Sequence, residues 1–175
     1  MTGRAIGWGE LLFAGLLITG VATLGLPAPT TVRLPLLGAV AAGAAAGAAL
    51  FRALSGVWCR APALRHVALC GSAATLVGRA AVEEVAWRGF ALPALAGAIT
   101  VVPALAATSA LFALAHTNVA GRERLVHVGT GIAFGGLYLL TGRLAAAISA
   151  HVVYNGLIAI ALAAAAPPGG RGVAQ

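Results

Sequence analysis

Three short patterns in this chain set residues with chemical capacity at helical spacing: Glu83-Glu84-x-x-x-Arg88, Phe112-x-x-x-His116 and His151-x-x-x-Asn155. The 175 residues include only four acidic ones, and two of them stand side by side at Glu83 and Glu84. An ionisable group at membrane depth costs roughly 2.5–3.5 kcal/mol on insertion scales, so its presence there points to function by default. Successive helical residues point about 100° apart, and Glu83 and Glu84 therefore address different places. Glu84 and Arg88 are spaced i, i+4 in the order that favours an ion pair. That leaves Glu83 to face a cavity, with Trp87 one turn on, where a carboxylate suits a general base acting on water. The competing reading is a charge cluster that only locks helices together. His151 and Asn155 share one helix face, and two polar groups on an apolar helix must find partners inside the bundle. His116 closes an apolar run, where a single histidine is more often an interfacial residue than a ligand. His66 and His127 stand near arginine-rich ends, and interfacial placement suffices for them.

The elements that must position these residues are helices in a membrane. The chain is 61% hydrophobic and 9% charged, against roughly 25% charged in soluble domains. That balance predicts an all-α, polytopic transmembrane bundle of about six spanning helices in one domain over 1–166. The apolar runs are 6–26, 34–51, a third from about 64 with the glutamates at its far end, 104–116, 125–140 and 144–166. Gly89 and Pro93 predict an interruption after the glutamates. Gly43-x-x-x-Gly47 and Gly131-x-x-x-Gly135 predict close helix packing. Pro167-Pro168-Gly169-Gly170 opens a tail, 167–175, expected to be disordered. The net charge of +7 comes entirely from arginines. They lie mostly between apolar runs, which places both termini in the cytoplasm and argues against nucleic acid as a partner. Glu10 reads as an interfacial carboxylate. Cys59 and Cys70 read as packing residues, not as a disulfide or zinc ligands. A simple hairpin count leaves one conflict: Glu83 ends the third run and His116 stands at the opposite end of the fourth. The two meet only if 79–93 is offset in depth or the loop after His116 folds inward.

With all three patterns in order, the chain resembles the CPBP family, the CAAX-protease and bacteriocin-processing (Abi) intramembrane endopeptidases. Neighbouring words share the likeness: Arg88-Gly89-Phe90, the stretch 109–116, Leu137-Tyr138 and Thr141-Gly142, so that it covers about 77–157. The resemblance implies hydrolysis of a peptide bond near the membrane surface, in a membrane-associated protein or peptide. In that family's terms Glu83 activates water with help from His116, His151 and Asn155 stabilise the oxyanion, and Glu84 and Arg88 hold the first motif's geometry. It leaves open whether Zn²⁺ or another divalent metal sits on Glu83, His116 and His151, or whether the glutamate works without metal. The chain lacks His-Glu-x-x-His, Gly-x-Ser-Gly and Gly-x-Gly-Asp, and has no Asp at all. Those absences remove the other common designs of intramembrane protease. Two alternatives remain from other classes: a non-catalytic bacteriocin-immunity or peptide-binding membrane protein, and a small transporter or proton relay. The relay predicts inverted repeats, and none is visible. The glycine patterns do not specify an oligomeric state.

Overall fold

Backbone polar groups in lipid must be satisfied within their own segment, so apolar runs rich in Ala and Leu become helices there. The computed structural model describes residues 34–56, 72–117 and 121–165, and these are helices and the turns joining them. In order they are α1 (Leu36–Ser55), α2 (Ser72–Glu84), a π-helical segment (Val85–Ala91), α3 (Leu92–Ile99), α4 (Val101–Ala115), α5 (Arg122–Thr141) and α6 (Leu144–Ala165). The chain is all-α over this range. Two stretches, Leu36–Ser55 and Leu144–Ala161, are long and apolar enough to cross a membrane. α4 is apolar but has 15 residues, while α5 begins with Arg122-Glu123-Arg124 and carries His127 a turn later. The run 6–26 and the start of the run at 64 lie outside the described residues, so six crossings are not shown. Glu10, Cys59, His66, Cys70, Asn118 and the tail 167–175 also lie outside them.

α1 and α6 form the tightest pair. A Cβ at Gly43 would collide with the Ala146 carbonyl and the Ser149 hydroxyl, and one at Gly47 with the Ala150 carbonyl. The small-xxx-small pattern is therefore a backbone-to-backbone contact. Ser149 Oγ donates to the Val40 carbonyl at 3.1 Å on the same side. This leaves the opposite side of α6, with His151, to face the other helices. Arg143 Nε donates to the Leu34 carbonyl at 2.8 Å, and the Leu34 N–H to Thr141 O at 3.0 Å. Together they tie the start of α1 to the α5–α6 turn. The core between the helices is built on Phe51, Leu92, Ala104, Phe134, Tyr138 and Tyr154.

The expected interruption around Gly89 and Pro93 takes the form of a π-helical segment, Val85–Ala91, and not of a break. The helix continues to Ile99 because it widens instead of breaking: the Leu92 N–H bonds Trp87 O, an i→i−5 link. Pro93 then occupies the first turn of α3 and, lacking an N–H, adds no bond of its own to the widened stretch. The reversal comes at Thr100, which takes φ 79° and ψ 164°. That position resolves the conflict in depth. Glu83 lies seventeen residues before Thr100 and His116 sixteen after it, each about 25 Å from the turn at 1.5 Å per residue. The two arms differ by one residue, and Glu83 and His116 stand at one level, their side chains 3.8 Å apart.

Candidate active site

Glu83 and Glu84 end α2, Arg88 lies in the π-helical segment, His116 terminates α4 and His151 sits mid-way along α6. Arg88 is buried, and its guanidinium bridges two elements. Nη1 donates to Glu84 Oε1 at 3.0 Å and Nη2 to the Gly131 carbonyl on α5 at 3.0 Å. It can do so because α4 and α5 touch at a glycine: a Cβ on Gly131 would come within 2.9 Å of Ser109 Cβ.

Glu84 is fully buried and does more than neutralise Arg88. Its Oε1 also lies 2.7 Å from His151 Nδ1. An ionised carboxylate only accepts, so the proton of this bond sits on Nδ1. The imidazole is thereby turned so that Nε2 faces Glu83, 3.8 Å from its Oε2. His116 is held in a parallel way. Its Nδ1 donates to the Phe112 carbonyl at 2.8 Å, and its Nε2 stands 3.8 Å from the same Glu83 oxygen. One carboxylate oxygen thus lies between two imidazole nitrogens. Both separations exceed direct hydrogen-bond reach.

Burial divides the site. The side chain of His151 is 5% exposed and that of Glu84 is 0%, whereas Glu83 is 25% and His116 30% exposed. It has a closed floor on α6 and an open side at the end of α4. Rings set the walls. Phe112 lies at the hub, with its centroid 4.6 Å from the His116 ring and 6.2 Å from that of His151, both edge-on. Trp87 meets it at 6.1 Å, and the Arg88 guanidinium carbon lies 4.7 Å over its face, a cation–π contact. Phe134 stacks on His151 at 4.9 Å and 24°.

The structure brings together Glu83, Glu84, Arg88, His116 and His151. Asn155 lies one turn beyond His151 on α6, half-buried, roughly 6 Å further along the axis. Sequence reasoning missed three features. It assigned Glu84 to Arg88 alone, because a contact across 67 residues leaves no local spacing. It missed Phe134, although Gly131, Phe134, Gly135 and Tyr138 share the buried stripe of α5. It also set His127 apart as interfacial, whereas its ring centroid is 4.5 Å from that of His116.

A catalytic zinc ordinarily takes three protein ligands at about 2.0–2.2 Å with one position open. Among the described residues, no group of three or more His, Cys, Asp or Glu side chains is gathered so as to hold a metal ion. Glu83, His116 and His151 face one another, but their donor atoms do not form a closed ligand set. The chemistry open to the arrangement without one is proton transfer at Glu83, with imidazoles on two sides and a positively charged guanidinium behind.

A family model described as Type II CAAX prenyl endopeptidase Rce1-like matches residues 64–157, more than half of the chain. No curated protein and no solved structure matches it.

Proposed function

The chain belongs to the Rce1-like type II CAAX prenyl endopeptidase family, and from that premise we propose that it hydrolyses a peptide bond near the membrane surface with water activated by Glu83. Family membership implies an intramembrane protease; the mechanism is our reading of the site. The observation that carries it is the convergence of His116 Nε2 and His151 Nε2 on Glu83 Oε2, each at 3.8 Å.

In this mechanism Glu83 takes a proton from water as the oxygen attacks the scissile carbonyl, and later returns it to the leaving amine. His116 accepts a hydrogen bond from the same water and aims it. His151, carrying protons on both nitrogens, donates one to Glu84 and one to the developing oxyanion. The Glu84 carboxylate behind it balances the imidazolium charge. Asn155 supplies a second donor, and preorganised donors of this kind are typically worth 10²–10³ in kcat each. The substrate is a membrane-associated protein or peptide that reaches Glu83 from its exposed side. In this reading the arginine bias puts both termini on the cytoplasmic side, and the composition offers no nucleic-acid surface. The oligomeric state plays no part in this reading.

The test is cleavage of a co-expressed library of membrane peptides by wild type and by Glu83→Ala, each with and without a chelator. Product from wild type alone supports the protease. Chelator sensitivity would bring Zn²⁺ or another divalent metal back onto Glu83, His116 and His151. Equal product from both proteins removes Glu83 as the base. No product from either favours a peptide-binding or immunity role.

A further inference from the structure

His116 is weakly held for a residue asked to aim a water. It closes α4 with φ −83° and ψ 73°, already outside helical geometry, and its side chain is 30% exposed. Its own helix offers the Phe112 carbonyl, a single hydrogen bond about which the ring can still pivot. The Phe112 ring meets one side of it edge-on at 4.6 Å, and a second ring contact comes from α5. The His127 ring lies 4.5 Å from the His116 ring at 46° and 6.3 Å from Phe112. Its Nδ1 donates to the Glu123 carbonyl at 2.8 Å, four residues back. That bond repeats the one by which His116 is pinned to Phe112.

The meeting follows from register and side-chain direction. α4 and α5 run antiparallel and touch where Ser109 meets Gly131, so His127, one turn before Gly131, stands near the level of Phe112. Helical side chains lean toward the N-terminus of their own helix. His116 leans back along α4 and His127 back along α5, and the two rings meet beside the open side of Glu83. Arg88 ties the same point of α5 to the π-helical segment that follows Glu83, through its bond to the Gly131 carbonyl.

We infer that His127 is a positioning residue: its ring face blocks rotation of the His116 imidazole and so holds Nε2 toward Glu83. What the role needs is a flat ring at this place; the nitrogens of His127 serve only to pin it to Glu123. The inference rests on the endopeptidase reading for its importance, but its geometry can be tested without any substrate.

The test uses the full chain in detergent micelles with ¹⁵N-labelled histidine, at one fixed alkaline pH. Wild type, His127→Ala, His127→Leu and His127→Phe are compared. In wild type the two nitrogens of His116 give widely separated shifts, one protonated and one bare. In His127→Ala and His127→Leu the Phe112 bond that fixes the tautomer loosens, so the two shifts move toward the averaged values of an imidazole exchanging its proton between both nitrogens, and in His127→Phe they return. His151, held by Glu84, stays unchanged in all four and serves as the folding control within each spectrum. On a prenylated CAAX-type peptide, kcat falls about tenfold in the Ala and Leu variants with KM unchanged, and Phe restores it. His116 shifts that ignore His127→Ala and His127→Leu would overturn the inference, as would a Phe variant that fails to restore them. If the shifts respond but wild type cleaves nothing, the positioning stands and the endopeptidase reading fails.

Discussion

Replacing Glu84 by glutamine separates the charge of this residue from its shape. The side chain is fully buried, and one oxygen accepts from both Arg88 and His151. Its other oxygen, Oε2, has no hydrogen-bond partner among the described residues. The amide NH₂ must therefore point either at two donors or into a place where nothing accepts it. Hydrogen bonds to a charged partner contribute about 1.5–3 kcal/mol and neutral ones about 0.5–1.5. Converting two of them costs about 2 kcal/mol, to which the uncompensated Arg88 adds. Leaving one member of a buried pair without its partner costs about 3–5 kcal/mol, which bounds Glu84→Gln from above and describes Glu84→Ala. At about 2–4 °C per kcal/mol for a chain of this size, Glu84→Gln should melt roughly 4–12 °C lower in detergent. It should also lose kcat by about 10²- to 10⁴-fold, the range seen when an orienting carboxylate behind a catalytic histidine is neutralised or removed. A Glu84→Gln/His151→Ala double variant should be no slower than His151→Ala alone, since both act through one imidazole. A Glu84→Gln protein with wild-type melting and kcat would refute the assignment of the 2.7 Å contact as a functional bond.

Other predictions follow from single features. Glu83→Gln should reduce kcat about 10²- to 10⁴-fold while changing stability by less than about 1 kcal/mol, because the side chain is partly exposed; a thermal melt beside the cleavage assay reads both. Gly43→Ala should destabilise by about 1–3 kcal/mol, as its Cβ meets α6 backbone. Gly38→Ala, with open space around it, should stabilise by about 0.5–1 kcal/mol, and paired melts decide both. Thr100 holds a conformation that only glycine adopts freely, at about 1–3 kcal/mol. Thr100→Gly should therefore raise the melting point by the equivalent of about 1 kcal/mol, after the greater chain entropy of glycine is deducted.

Several of these relations were legible before any coordinates. The Glu84–Arg88 pair follows from i, i+4 spacing, and the run boundaries at 34, 144 and 116 fall within a few residues of α1, α6 and the end of α4. The glycine pairs announced contacts but not their partners, since spacing on one helix says nothing about which helix faces it. The π-helical segment was invisible because one residue of slippage among Ala, Val and Gly leaves no trace in an apolar pattern. With it went the position of the turn: Gly89 and Pro93 carried the breaker signal, while the real reversal falls on a threonine. The Glu84–His151 bond and the His116–His127 contact depend on packing between distant segments. His127 in particular stands three residues after Arg124, and its neighbours in sequence disguised its neighbours in space.

The two arms on either side of Thr100 constrain how such a sequence can vary in length. Removing one residue from the α-helical part of either arm slides a site residue by about 1.5 Å and swings it through about 100°, so outside the π-helical turn the arms tolerate no isolated insertion or deletion. A π-helical turn is the form a helix takes when it has absorbed one surplus residue without moving its ends. Residues 85–91 thus act as a slack link between the glutamates and the turn. Homologues that keep the site should differ in length there or outside 83–116, and elsewhere within the arms they should change only by substitution.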